Sequence, residues 1–205
     1  MIAQECIDEL ADVVGLKEQV SDITERAMLG ELDFESALVE RVGLLQGLDE
    51  TEIATCLNER ITLMPGAITL VQTLRSLGCR AVLVTGGFHH FADPIAKRIG
   101  FQHVVGNQLE VEQGKLTGRL VGKLTDSSVK KRVLEEEQGS LPVGSTSLAT
   151  GDGANDIPML EAADYGIAYH AKPKARAAAN GFVEQGDLTS ILYLLRIPEE
   201  QWITG

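Results

Sequence analysis

A chain of 205 residues that is 44% hydrophobic can bury a full core as one domain, or as one domain carrying a small insert. Its net charge of −12, with no basic cluster, excludes a nucleic-acid surface; an acidic protein that handles an anion must bring a cation or local Lys and Arg to it. No apolar run approaches the ~20 residues needed to cross a bilayer, so no membrane segment is expected. Met1-Ile2-Ala3-Gln4-Glu5 does not read as a secretory leader, and three cysteines without paired spacing, Cys6, Cys56 and Cys79, suit core positions in a reduced, cytoplasmic setting.

Residues 3 to about 61 are strand-poor and helical in period. Cys6, Ile7, Leu10 and Val13 form one apolar stripe, and Phe34, Leu38, Val42 and Leu45 form another, which predicts a small helical unit over residues 1–62. From Pro65 the pattern alternates, with a helix over 67–77, a strand over 80–85 and a helix over 88–99. A hairpin is predicted within 107–122, turning at Gln113-Gly114, followed by a helix over 127–137 whose Glu135-Glu136-Glu137 run is a solvated end. Leu148-Ala149-Thr150 reads as the end of a buried strand, and Ile157-Pro158-Met159-Leu160 as the start of a helix. Strands over 165–169 and 182–183 and a helix over 188–195 complete an α/β pattern with a mainly parallel sheet across residues 63–205.

Thr150-Gly151-Asp152-Gly153-Ala154-Asn155-Asp156 carries the strongest local signal, an apolar strand running into two carboxylates and an amide on a turn relaxed by glycine. At the carboxyl edge of an open α/β sheet, Asp152 suits an Mg²⁺ ligand, with Asp156 as a second carboxylate behind it. The same residues also suit an Asp-Gly turn whose aspartates cap the next helix. Thr85-Gly86-Gly87 follows the strand Ala81-Val82-Leu83-Val84, placing a hydroxyl and two unobstructed amides at a helix start, where phosphate is attracted. Lys130, near the start of the helix over 127–137, reads equally as a solvated lysine or as counter-charge for a phosphoryl group.

In that order, and together with Gln4-Glu5-Cys6-Ile7-Asp8-Glu9, Ala27-Met28 through Phe34, Glu40-Arg41-Val42, Phe88 and Ala171-Lys172-Pro173, the residues resemble the haloacid dehalogenase superfamily, most closely its phosphoserine-hydrolysing branch. The resemblance spans essentially the whole chain and implies a Rossmannoid core with a helical cap. It also implies Mg²⁺-dependent hydrolysis of O-phospho-L-serine to serine and phosphate, the last step of serine biosynthesis. By position, Thr85 would bind phosphate with its hydroxyl and Gly86 with its amide, and Lys130 would neutralise phosphate and nucleophile. Asp152 would hold the metal, Asp156 would support it, and Asn155 would contact substrate. In the cap, Glu5 would face the substrate ammonium, Arg41 would fork onto its carboxylate, and Met28 and Phe34 would form an apolar wall. His89 and His90 match no role and read as surface residues.

The superfamily's first motif, an apolar strand ending in Asp-x-Asp, has no counterpart, since no two aspartates here are separated by a single residue. Its first aspartate attacks phosphorus and its second is the general acid and base. The expectation is therefore a truncated, inactive form whose sheet lacks its central first strand, leaving a gap or a substitute strand beside the strand ending at Thr85. Such a chain would be a monomer or a homodimer, with domain swapping one way to fill the gap. Two other readings remain: a phosphoserine-binding protein without turnover, and a phosphotransferase acting on another amino-acid alcohol.

Overall fold

The computed structural model describes residues 1–28 and 31–204, the side chains of Ala27, Met28 and Phe34 excepted. Helices α1 (Cys6–Val13), α2 (Lys17–Met28), α3 (Phe34–Gly43) and α4 (Glu50–Arg60) come first, and α5 (Ala67–Ser76) leads into β1 (Val82–Phe88) and α6 (His89–Ile99). Strands β2 (His103–Glu112) and β3 (Lys115–Val121) precede α7 (Ser127–Gly139) and β4 (Leu148–Gly151). A 3₁₀ turn over Ala154–Asp156 enters α8 (Ile157–Ala162), which is followed by β5 (Tyr165–Tyr169), α9 (Pro173–Ala178), β6 (Gly181–Val183) and α10 (Ser190–Leu194).

Two compact units result, one made of Met1–Met64 with Thr85–Leu124, the other of Pro65–Val84 with Thr125–Gly205. In the first, the apolar stripes expected from the sequence are buried: Ile7, Leu10, Leu38, Val42 and Leu45 are each almost fully enclosed. Asp33 and Asp49 cap α3 and α4 by accepting the N–H groups of Ser36 and Thr51. Arg60, at the end of α4, reaches Asp12 of α1 at 2.5 Å and Glu9 at 3.4 Å. The hairpin turns where expected, with Glu112 opposite Lys115 and positive φ at Gln113 (53°) and Gly114 (76°), the pair a two-residue turn requires.

The second unit holds a parallel sheet in the order β4, β5, β6, with Ala149 opposite Gly166 and Ala168 opposite Phe182. Parallel strands bring the loops after β4 and β5 to one edge. At the other edge Asp164 Oδ2 accepts the backbone N–H of Ser147 at 2.8 Å, while Ser147 Oγ accepts the N–H of Asp164 at 3.0 Å and Gln138 Nε2 at 2.6 Å. This reciprocal lock fixes the register of β4 against β5. Leu160, Ala149, Ala163 and Ala175 form a buried cluster against the sheet. Among the described residues β4 pairs with β5 alone and β1 with β2 alone, and the Thr150 hydroxyl is buried without a hydrogen bond.

Some side chains depart from expectation. Cys56 is buried and Cys6 half-buried, but Cys79 is exposed, because it lies in the turn that closes α5, where its N–H bonds the Leu74 carbonyl. Burial, aided by the neighbouring Cys56, pushes the Cys6 thiol up to about 12, so it packs as an inert hydrophobe. His89 and His90 are half-buried on α6 instead of standing on the surface; His89 reaches Asp93 at 2.9 Å, and burial lowers the His90 pKa. Among the described residues no helix is long and apolar enough to cross a membrane.

Leu160→Ala is expected to cost about 2–5 kcal/mol in urea unfolding, the range for emptying a fully enclosed leucine site. Under native conditions a thiol reagent should label one cysteine quickly, and Cys79→Ser should remove that fast phase.

Candidate active site

The site in the second unit begins with a helix cap. Asp126 Oδ1 accepts the Val129 N–H at 2.9 Å and the Ser128 hydroxyl at 2.7 Å, which fixes the first turn of α7. Lys130 follows within that turn and is only 6% exposed. Its Nζ meets Asp156 Oδ1 at 2.6 Å, and Asp156 is likewise 6% exposed. The second oxygen of Asp156 accepts the N–H groups of Asp152 at 3.0 Å and Gly153 at 3.1 Å. A buried charge pair persists only when its remaining hydrogen-bonding capacity is met, and here one carboxylate serves an ammonium and two amides.

Asp156 is thus the organiser of the turn, and Asp152 stands exposed at its tip, with its carbonyl tied to the loop after β5 by the Lys172 N–H at 2.9 Å. Neither Gly151 nor Gly153 adopts a positive φ, and what the turn uses is the room left by the missing side chains, as the sequence suggests. A Cβ on Gly151 would collide with the Asp156 side chain, and it is close approach that requires glycine there. Asn155 is half-buried within the 3₁₀ turn. Lys130, Asp152, Asn155 and Asp156 therefore gather at the carboxyl edge of the β4, β5, β6 sheet, and Lys130 is a buried member of an ion pair instead of a solvated helix lysine.

The other candidates belong to the first unit. Thr85, Gly86 and Gly87 lead into α6, which starts at His89, one residue from the expected Phe88, while β1 runs through them to Phe88 and so extends past the expected end at Thr85. Pairing with β2 keeps them extended. Thr85 Oγ1 accepts the Gly87 N–H at 3.0 Å, and the Gly86 carbonyl accepts Asn107 Nδ2 at 2.7 Å. Asn107, 2% exposed on β2, carries no role in the sequence reading. Its strand also carries His103, Gln108, Glu110 and Glu112, so no local signal distinguished Asn107, and only the fold shows that this amide is enclosed against a backbone acceptor. Glu5 is the exposed N-cap of α1, and half-buried Arg41, near the end of α3, donates from Nε to the Ala37 carbonyl at 3.3 Å. Met28 ends α2 and Phe34 begins α3, but their side chains, and with them the apolar wall, lie outside the described residues.

A divalent cation fits this donor set at one point. Mg²⁺ takes oxygen ligands and commonly uses one or two carboxylates with several waters. Asp152 offers such an oxygen, while both oxygens of Asp156 are already engaged. Among the described residues no group of three His, Cys, Asp or Glu side chains could hold a metal without outside ligands.

A parallel sheet whose strand tip carries an Asp-Gly-x-x-Asp turn braced by a buried lysine marks an α/β protein with a ligand site at the carboxyl edge of its strands. The chain belongs to the haloacid dehalogenase-like hydrolase family, whose models match residues 3–161 and 144–195. Its relatives include a phosphoserine phosphatase of Albidiferax ferrireducens, 41% identical, with 96% of this chain and 85% of that protein aligned. Another, from Archaeoglobus fulgidus, is 41% identical over 98% of this chain, yet the chain spans only 58% of that protein's length. Among solved structures, a substrate-bound phosphoserine phosphatase complex superposes with a TM-score of 0.84 at 35% identity, covering 94% of this chain and 92% of that one.

Lys130→Met should destabilise the protein by about 3–5 kcal/mol, because it leaves Asp156 buried without its counter-charge. Urea unfolding of the variant at neutral pH checks this.

Proposed function

We propose that this chain carries the substrate and phosphate sites of a phosphoserine phosphatase, a phosphoric monoester hydrolase that converts O-phospho-L-serine to L-serine and phosphate in the cytoplasm. Residues 1–62 form the cap and residues 63–205 the catalytic core, in a monomer or homodimer. The observation that carries the reading is the Lys130 ammonium held 2.6 Å from Asp156 beside exposed Asp152, fixed positive charge and a free-standing carboxylate at one sheet tip. The substrate comes from the relatives, which are phosphoserine phosphatases by name at about 40% identity over nearly the whole chain.

In this reading Thr85 and Gly86 donate to the phosphoryl oxygens and Lys130 balances their charge, with Asp156 holding the ammonium in place. Asp152 is the residue that would hold Mg²⁺, which when bound supplies Lewis-acid polarisation of the phosphoryl group. Asn155 contacts the substrate near that tip. Glu5 receives the substrate ammonium, Arg41 the carboxylate, and Met28 with Phe34 encloses the methylene between them.

A second reading, binding of phosphoserine without turnover, is favoured by one observation: no Asp-x-Asp occurs anywhere in the sequence. Loss of a nucleophile costs on the order of 10⁶ in turnover in a well-studied protease. Titration with phosphoserine in Mg²⁺ should therefore give binding and negligible release of phosphate. Arg41→Ala should weaken that binding roughly ten- to a hundredfold, the cost of a lost charge-assisted contact. Unchanged affinity would remove Arg41 from the carboxylate, and rapid hydrolysis would show that another group serves as nucleophile. Expressed together with any codons upstream of Met1, the hydrolase reading expects turnover that Asp152→Asn abolishes; binding without turnover there would leave the second reading standing.

A further inference from the structure

One peptide unit in the first unit of the fold is held at both ends. The carbonyl of the Gly86–Gly87 peptide accepts Asn107 Nδ2 at 2.7 Å, and the N–H of the same peptide donates to Thr85 Oγ1 at 3.0 Å. Asn107 is 2% exposed, so its amide was carried out of water to make this contact and belongs to no other role assigned above. The strand that brings it is admitted closely: a Cβ on the preceding Gly106 would lie 3.2 Å from the Gly87 carbonyl oxygen and 3.2 Å from Thr85 Cγ2. β2 thus approaches Thr85-Gly86-Gly87 with a residue that has no side chain, followed by one whose side chain grips the backbone.

We infer that Asn107 is a positioning residue for Thr85, acting through the Gly86–Gly87 peptide to leave the Thr85 hydroxyl hydrogen available to a phosphate oxygen. The inference rests on the reading of Thr85 as a phosphate-binding hydroxyl. A hydroxyl has one hydrogen to give and lone pairs to receive with. While the Gly87 N–H points at Thr85 Oγ1, a lone pair is used and the hydrogen must be donated elsewhere. A peptide between two glycines turns over at little steric cost, since neither side carries a Cβ. Turned over, it would present its carbonyl to Thr85, and the hydroxyl would spend its hydrogen on the backbone. Asn107 opposes this, because an amide N–H₂ can only donate and the observed orientation is the one that offers it the Gly86 carbonyl.

A double-mutant cycle on the full chain tests this, with binding of inorganic phosphate measured by calorimetry in Mg²⁺ for the wild type, Asn107→Ala, Thr85→Val and the double variant, and thermal melts run alongside. Asn107→Ala should weaken phosphate binding about tenfold in the wild-type background, comparable to one hydrogen bond, and cause no further loss once Thr85 is valine. An equal loss in both backgrounds would mark a general packing effect and overturn the inference, as would no loss in either. If the wild type binds no phosphate, or Thr85→Val binds it as the wild type does, the phosphate reading of Thr85 fails and the inference with it. Should Asn107→Ala melt out, Asn107→Asp keeps the size and removes the donor, and the same cycle applies.

Discussion

A buried ammonium can stay at the end of a sheet only where a carboxylate meets it, and in the second unit that carboxylate is Asp156. Its two oxygens reach Lys130 of α7 and the backbone of the turn after β4, so one side chain joins a helix, a strand end and the entry to α8. The neighbouring requirements follow from this contact. Gly151 has no side chain because Asp156 fills that space. Asp126 caps α7 at the turn from which Lys130 reaches inward. The Ser147 and Asp164 lock keeps β4 in register at the far edge, so that the near edge arrives at the right height.

The first unit shows the same economy with backbone groups in place of charges. Asn107 serves a carbonyl of β1, Asp33 and Asp49 serve helix amides, and Arg60 ties α4 to α1 through Asp12 and Glu9. Asn107, nearly fully enclosed, leaves water against the Gly86 carbonyl, while Asp33 and Asp49 make their caps at the exposed surface. The arrangement around Thr85 is therefore set by a neighbour on another strand and not by the local turn.

What could be read from the residues alone follows from how local each feature is. The hairpin at Gln113-Gly114 was legible because positive φ is a demand of the turn itself. The apolar stripes of α1 and α3 were legible because helical period marks a buried face before its partner is known. Asp152 and Asp156 were recognisable as a pair, but only the fold separates them into an exposed carboxylate and a saturated one. The helix after Thr85-Gly86-Gly87 was legible to within a residue, but that β1 extends through these glycines was not, because the Asn107 side chain that meets the Gly86 carbonyl lies some twenty residues away along the chain. Cys79 was misassigned for the opposite reason, since its composition suits a core while its place just past α5 turns it outward.

The saturation of Asp156 has an electrostatic consequence. Lys130 is paired with Asp156, so beyond that pair the turn after β4 presents the exposed carboxylate of Asp152. That carboxylate repels an approaching anion, and a positive charge held at Asp152 would offset the repulsion. The protein as a whole, at −12, adds to the repulsion.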